Sequence, residues 1–158
     1  VKLPRTLRLD QSDTVVFERA AMPGEWAVPG GFAFWDDDPA TLTGKRRQAF
    51  RAGFLGLGSF GWATLVEVAE AGAAEHAMAL AALADHIAAQ YGAPDPATAA
   101  AAAAEELRFA ATLCDHPIGT VLALSRTIAA GAVRESFRTL HRRGPLPVFA
   151  LVEAPPDR

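Results

Sequence analysis

Two alanine-rich segments that meet at Gly92-Ala93-Pro94-Asp95-Pro96 constrain this chain more than any other feature. More than half of its alanines fall between Ala71 and Ala111. Alanine has the best helix propensity and is depleted in strands. The spacing predicts a helix over about 70–91, with Gly92 as its cap. Its stripe of Ala73, Ala77, Leu80, Ala84, Ile87 and Tyr91 advances by three or four residues at each step. Pro94 and Pro96 stop it. Asp95 then caps a second helix that begins at Pro96 and runs to about Cys114. Helix faces this small pack closely on a sheet, and strands are expected elsewhere in the chain.

The alternation of Leu3, Leu7 and Leu9 with Thr6 and Arg8 predicts a first strand, and Thr14-Val15-Val16-Phe17 a second. Residues 26–28 and 32–35 read as strand interrupted by Pro29-Gly30-Gly31. Asp38 and Pro39 open a helix expected to reach about Gly53. Strands are expected over 60–69, 119–128 and 147–153. A last helix is expected over 132–143, with Val133, Phe137 and Leu140 inward. This order predicts an α+β fold: one mixed or mostly antiparallel sheet with about four helices, largely on one face, in a single domain spanning 1–158.

Composition removes several functions. The chain has 158 residues and one cysteine, Cys114, so it forms no internal disulfide and no cysteine-rich zinc site. The longest uncharged stretch, 52–66, falls short of the roughly 20 residues of a membrane span. The first residues hold no apolar run of signal-peptide length. A net charge of −3 argues against general nucleic-acid binding. The expectation is a soluble cytoplasmic protein with no metal, no cofactor, no nucleic acid and no membrane.

Four patterns carry candidate chemistry. Gly56-Leu57-Gly58-Ser59-Phe60-Gly61 matches the dinucleotide-binding glycine pattern. That motif needs a strand before the loop and a helix after it, and here a helix is expected before and a strand after. A tight connection is the better reading, and an anion nest of backbone amides is a further one. Cys114-Asp115-His116 places three reactive types together. On a helix, however, Cys114 and His116 project about 200° apart, which is poor geometry for a nucleophile and its base. Arg134, Arg138 and Arg142 form a basic stripe on the expected last helix. Lys45, Arg47 and Arg51 form another on the first. Arginine binds carboxylate and phosphate, although solvated helix faces account for both stripes as well. Trp26, Trp35 and Trp62, with Phe32, Phe34 and Phe60, concentrate aromatic surface near the Pro29-Gly30-Gly31 break. They form either core or a ligand or partner surface. No nucleophile elbow and no phosphate-binding P-loop occurs.

The stretch Phe17-Glu18-Arg19-Ala20-Ala21, then Pro23-Gly24-Glu25-Trp26-Ala27-Val28, then residues 45–69 with Gln48-Ala49-Phe50-Arg51, Gly53-Phe54-Leu55-Gly56 and Phe60-Gly61-Trp62-Ala63-Thr64-Leu65-Val66, resembles an uncharacterised bacterial family across nearly the whole chain. The resemblance transfers no catalytic residue. It implies an accessory role beside metal-dependent redox enzymes, such as molybdenum or iron–sulfur enzymes. The leading expectation is therefore a small accessory protein that binds another protein and also forms a homodimer, rather than an enzyme. The alternatives are a small-ligand carrier with a pocket by the aromatic strands, and a small enzyme with its site at Cys114, Asp115 and His116.

Overall fold

The computed structural model describes residues 1–92, 95–143 and 150–156. Among these the order is β1 (Lys2–Leu7), α1 (Ser12–Val16), β2 (Ala27–Val28), α2 (Gly44–Ala52), β3 (Phe54–Gly56), β4 (Trp62–Ala63) and β5 (Leu65–Glu70), then α3 (Ala73–Tyr91), α4 (Pro96–Thr112), β6 (Val121–Ala129), β7 (Ala132–Arg143) and β8 (Ala150–Pro156). Two short 3-10 turns, Gly31–Phe34 and Pro39–Thr41, precede α2. The α+β class holds, but the expected single sheet does not. Five strands in the order β1-β5-β6-β7-β8 form one antiparallel sheet, and β2-β3-β4 form another.

The alanine-rich pair forms as its punctuation dictates. Asp95 Oδ1 accepts the Thr98 N–H at 2.7 Å, with Pro96 opening α4. Gly92 ends α3 in the left-handed conformation, φ 65°. The buried line of α3 is Ala79, Leu83 and Ile87, flanked by Leu80 and Ala84; Ala73, Ala77 and Tyr91 of the expected stripe are exposed. These residues pack against Ala99, Ala103, Leu107 and Ala110 of α4, and the pair closes over Leu3, Val28 and Leu55.

Two expected strands fail and a third is interrupted, each for a local reason. Asp10 Oδ1 accepts the Ser12 N–H at 2.8 Å, an Asx turn that starts α1 where a strand over 14–17 was expected. Gly30, at φ 76°, bends the chain into the 3-10 turn that replaces a strand over 32–35. The expected strand over 60–69 is broken at Thr64. The Thr64 N–H and hydroxyl bind the buried Asp13 carboxylate at 3.2 and 2.6 Å instead of continuing a ladder. The expected helix from Asp38 also divides: Asp38 caps only the turn Pro39–Thr41, and α2 starts at Gly44.

The largest correction is the last expected helix, which is β7. It forms a hairpin with β6 through Ala130 and Gly131, both at positive φ (52° and 78°). Two consecutive left-handed residues make the turn that matches strand twist. The four-residue arginine spacing fits a strand equally well, because residues i and i+4 share a strand face. Of the expected final strand, residues 147–149 lie outside the described residues.

Strand register puts Val66, Val68, Leu122, Leu124, Arg126, Glu135 and Phe137 on one face of the large sheet. Ala27 and Phe54 of the small sheet cover it, together with Leu113 and Cys114 beyond α4. Residues Leu7, Leu65, Ala123, Arg138 and Leu140 lie on the opposite face. They line an open cleft of about 460 Å³ beside the segment that carries Arg8, Asp10 and Asp13.

Candidate functional site

The glycine-rich loop joins β3 to β4, so it is a hairpin connection rather than the helix-to-strand connection expected. A strand follows it, so the helix N-terminus that the dinucleotide motif uses is absent from this position. Its amides do form an anion nest, and the anion belongs to the chain itself. Glu25 Oε1 accepts the Gly58 and Ser59 N–H groups at 2.8 and 2.7 Å, and Oε2 accepts the Ser59 hydroxyl at 2.7 Å and the Met22 N–H at 2.5 Å. Glu25→Ala is therefore expected to lower stability by about 2 kcal/mol, since several charge-assisted hydrogen bonds are lost together. Hydrogen exchange at the Gly58 and Ser59 amides should quicken in that variant; unchanged exchange would contradict this role for Glu25.

The Cys114 triplet does not assemble as a reactive group. Cys114 is 1% exposed within the apolar cluster under the large sheet. Burial pushes its thiol up to about 12, so the nucleophilic thiolate is strongly disfavoured. The link to His116 runs through the backbone, where the His116 N–H donates to the Cys114 carbonyl at 2.8 Å. The His116 carbonyl accepts from Lys2 Nζ at 2.7 Å. Exposed Asp115 follows the buried thiol in the chain.

The two basic stripes lie on opposite sides of the large sheet. Arg134 and Arg138 pair with Thr127 and Ala123, on the face opposite to Arg126. Helix α2, which carries Lys45, Arg47 and Arg51, packs on the Arg126 side, where Arg47 and Arg51 border a cleft with Arg126. In β7, Arg142 pairs with Leu151 of β8. The side chain of Arg142 lies outside the described residues.

The three tryptophans also separate. Trp62 packs on Phe34 at 5.2 Å beside the Phe17–Phe50 cluster. Trp26 packs at the margin of the helix-pair core, with the Arg5 guanidinium 5.7 Å from its ring centroid. Trp35 is 81% exposed at the end of the Gly31–Phe34 turn, edge-on to Phe32 at 6.3 Å. Phe109 and Val133, 41% and 48% exposed, border the same cavity as Trp35.

Beneath Trp35 lies a group that the sequence reading missed. Arg126 is 1% exposed and binds three segments at once. Its Nε donates to Glu135 Oε2 at 2.7 Å. Its Nη1 donates to the carbonyls of Phe50, Gly53 and Ala49 at 2.8, 3.3 and 3.4 Å, which end α2. Its Nη2 donates to the Pro29 carbonyl. A guanidinium at a helix C-terminus meets the negative end of the dipole as well as the unpaired carbonyls. Burial lowers the Arg126 pKa from its ordinary value, and the Glu135 carboxylate opposes that.

This group floors a cavity of about 330 Å³ walled by Phe32, Phe34, Trp35 and Phe109. Glu106 of α4 enters from the other side, its Oε1 accepting the Gly30 N–H at 3.2 Å. Burial raises the Glu106 pKa; the Gly30 bond opposes this, and the nearby Glu135 charge adds to it. Gly31 roofs the ion pair: a Cβ there would lie 3.6 Å from Glu135 Oε2 and 3.7 Å from Arg126 Nε. The missed residues did carry a signal. Arg126 falls on the inward period of Leu122 and Leu124, and Glu106 lies three residues after Ala103 and four before Ala110 on the buried side of α4.

An α+β protein of two antiparallel sheets and a close-packed helix pair, with an acidic, aromatic-walled cavity, is the class that this geometry defines. Within it, the chain belongs to the family of unknown function DUF6505, which matches residues 1–155. No curated protein and no solved structure matches the chain. Among the described residues no helix is long and apolar enough to cross a membrane, and no three His, Cys, Asp or Glu side chains group as metal ligands.

Proposed function

We propose that this is an accessory protein that acts by binding another protein through the surface around Trp35. The observation that carries the reading is the exposure of Trp35 itself, next to exposed Phe109 and Val133. A large aromatic ring held on a short turn and surrounded by apolar neighbours has the composition of an interface centre. Assistance to a metal-dependent redox enzyme is the finer form of the proposal, and it is supported by the family resemblance alone. A homodimer through the same surface is the competing occupant.

Trp35→Ala tests the reading. Trp35 makes few contacts within the chain, so its removal should leave the melting temperature nearly unchanged. Affinity purification at native expression should recover a stoichiometric partner with the parent chain and lose it with the variant. An interface-centre tryptophan contributes about 2 kcal/mol or more to binding. Recovery of the same partner by both chains would overturn the assignment of this surface. A concentration-dependent sedimentation coefficient abolished by Trp35→Ala would identify the partner as a second copy.

A second reading, a small-ligand carrier, is supported by one specific observation: the cavity beside Trp35 contains charged groups as well as aromatic walls.

A further inference from the structure

We propose that the cavity beneath Trp35 is a recognition pocket for a small organic cation, an alkylammonium or alkylguanidinium group, held between Glu106 and the aromatic walls. The inference rests on the reading above that the Trp35 surface is where this protein binds.

Charge balance comes first. The cavity lining holds two carboxylates, Glu106 and Glu135, against one guanidinium, Arg126. That guanidinium is already engaged: Nε binds Glu135, and Nη1 and Nη2 bind backbone carbonyls. Arg126 and Glu135 neutralise one another, which leaves the charge of Glu106 in surplus. Glu106 accepts a neutral N–H from Gly30; among the described residues no cation forms an ion pair with it, and Arg126, committed to Glu135, reaches it only as a more distant charge. A carboxylate partly withdrawn from water and facing a cavity gains most from a cationic partner.

The walls select the same class. Phe32, Trp35 and Phe109 line the cavity with aromatic rings, whose electronegative faces attract cations. A neutral apolar ligand would leave the Glu106 carboxylate desolvated without a partner. An anion would meet like charge from Glu106, while the donors of Arg126 are spent on the protein. The roof is a glycine whose backbone does not require positive φ, so a side chain can be added at Gly31 to fill the cavity.

The test titrates the intact chain with n-butylammonium and n-butylguanidinium, using n-butanol and butyrate as controls. The readout is the two-dimensional NMR shifts of the Gly30 and Gly31 amides and the Trp35 indole. Saturable shifts with both cations, absent with both controls, are expected. Glu106→Gln keeps an acceptor for the Gly30 N–H and removes the charge, so it should weaken cation binding by roughly tenfold or more with the fold intact. Gly31→Leu should abolish it by occupying the space. If that variant fails to fold, Glu106→Gln and the controls still decide the matter. Equal response to butanol, preference for butyrate, no shift with either cation, or unchanged affinity in Glu106→Gln would each overturn the proposal. The partner purification is independent of this titration: loss of the partner with Trp35→Ala would stand even if no amine bound, and the reverse also holds.

Discussion

Replacing Arg126 with methionine is expected to destabilise the protein by about 3–5 kcal/mol, the usual cost of removing one member of a buried charged network. The methionine fills much of the volume. It offers no donor to the carbonyls of Ala49, Phe50, Gly53 and Pro29, all of which Arg126 now engages. Buried carbonyls left without donors cost more than the net gain of the bonds themselves. The Glu135 carboxylate would also lose the partner it holds at 2.7 Å. A second variant separates these effects. Adding Glu135→Gln to Arg126→Met should recover only part of the loss, because the backbone carbonyls remain. Lysine at 126 should fall between, since its ammonium is a point charge and does not reproduce the planar fork. Urea denaturation with slope and midpoint both fitted is the measurement. A loss below about 1 kcal/mol for Arg126→Met would mean that α2 does not depend on this clamp.

The second large effect is expected at Gly61. A Cβ there would lie 2.6 and 2.7 Å from the carbonyl carbon and oxygen of Ala20 and 2.8 Å from the Ala21 nitrogen. These are backbone atoms, and they are held in place. The Ala21 N–H donates to the Trp62 carbonyl at 2.9 Å, and the Trp62 N–H donates to the Arg19 carbonyl at 2.9 Å. Gly61→Ala must therefore push the 19–21 segment away from β4, at a cost of about 3 kcal/mol. Gly72→Ala is the control. Its new methyl would meet only the flexible Glu75 carboxylate, at 3.5 Å. Thermal melts of the two variants should differ by many degrees; equal melting temperatures would contradict the close approach.

These two positions show how unevenly the site could be read from the sequence. Gly61 stood out in a literal motif, and its physical reason for being glycine is contact with Ala20 and Ala21, not with a phosphate. An amide nest in the same loop is only the secondary reading of the sequence, and its occupant, Glu25, lies 33 and 34 residues from the amides it accepts. From the sequence, Trp26, Trp35 and Trp62 together read as either core or surface; in the fold Trp35 is exposed, while Trp26 and Trp62 pack against the protein. The Gly30 bend puts a 3-10 turn in place of the strand expected over 32–35, and Trp35 stands exposed at the end of that turn. Arg126 and Glu106 went unremarked because a charge on an inward period has no meaning until its partners are known.

Among the secondary elements, those with local causes were legible. Asp95 with Pro96 and Gly92 mark the junction of α3 and α4 correctly, because capping is decided within a turn of chain. The β7 error has the opposite origin. Arg134, Arg138 and Arg142 repeat every four residues, which places them together on either a helix or a strand. Only the pairing of β7 with β6 on one side and β8 on the other resolves that ambiguity.

By itself, then, the sequence determined the helix pair and its caps, the lack of any internal disulfide, and the α+β class, all of which follow from short-range propensity and residue count. The tertiary structure decided the division into two sheets, the strand identity of β7, the filling of the nest by Glu25, and the Arg126 clamp with its acidic cavity. Those features depend on pairings such as Arg126 with Glu135 and with Pro29, 9 and 97 residues away in the chain. No local pattern encodes such pairings, because each group's preference is satisfied only by a partner that folding brings to it.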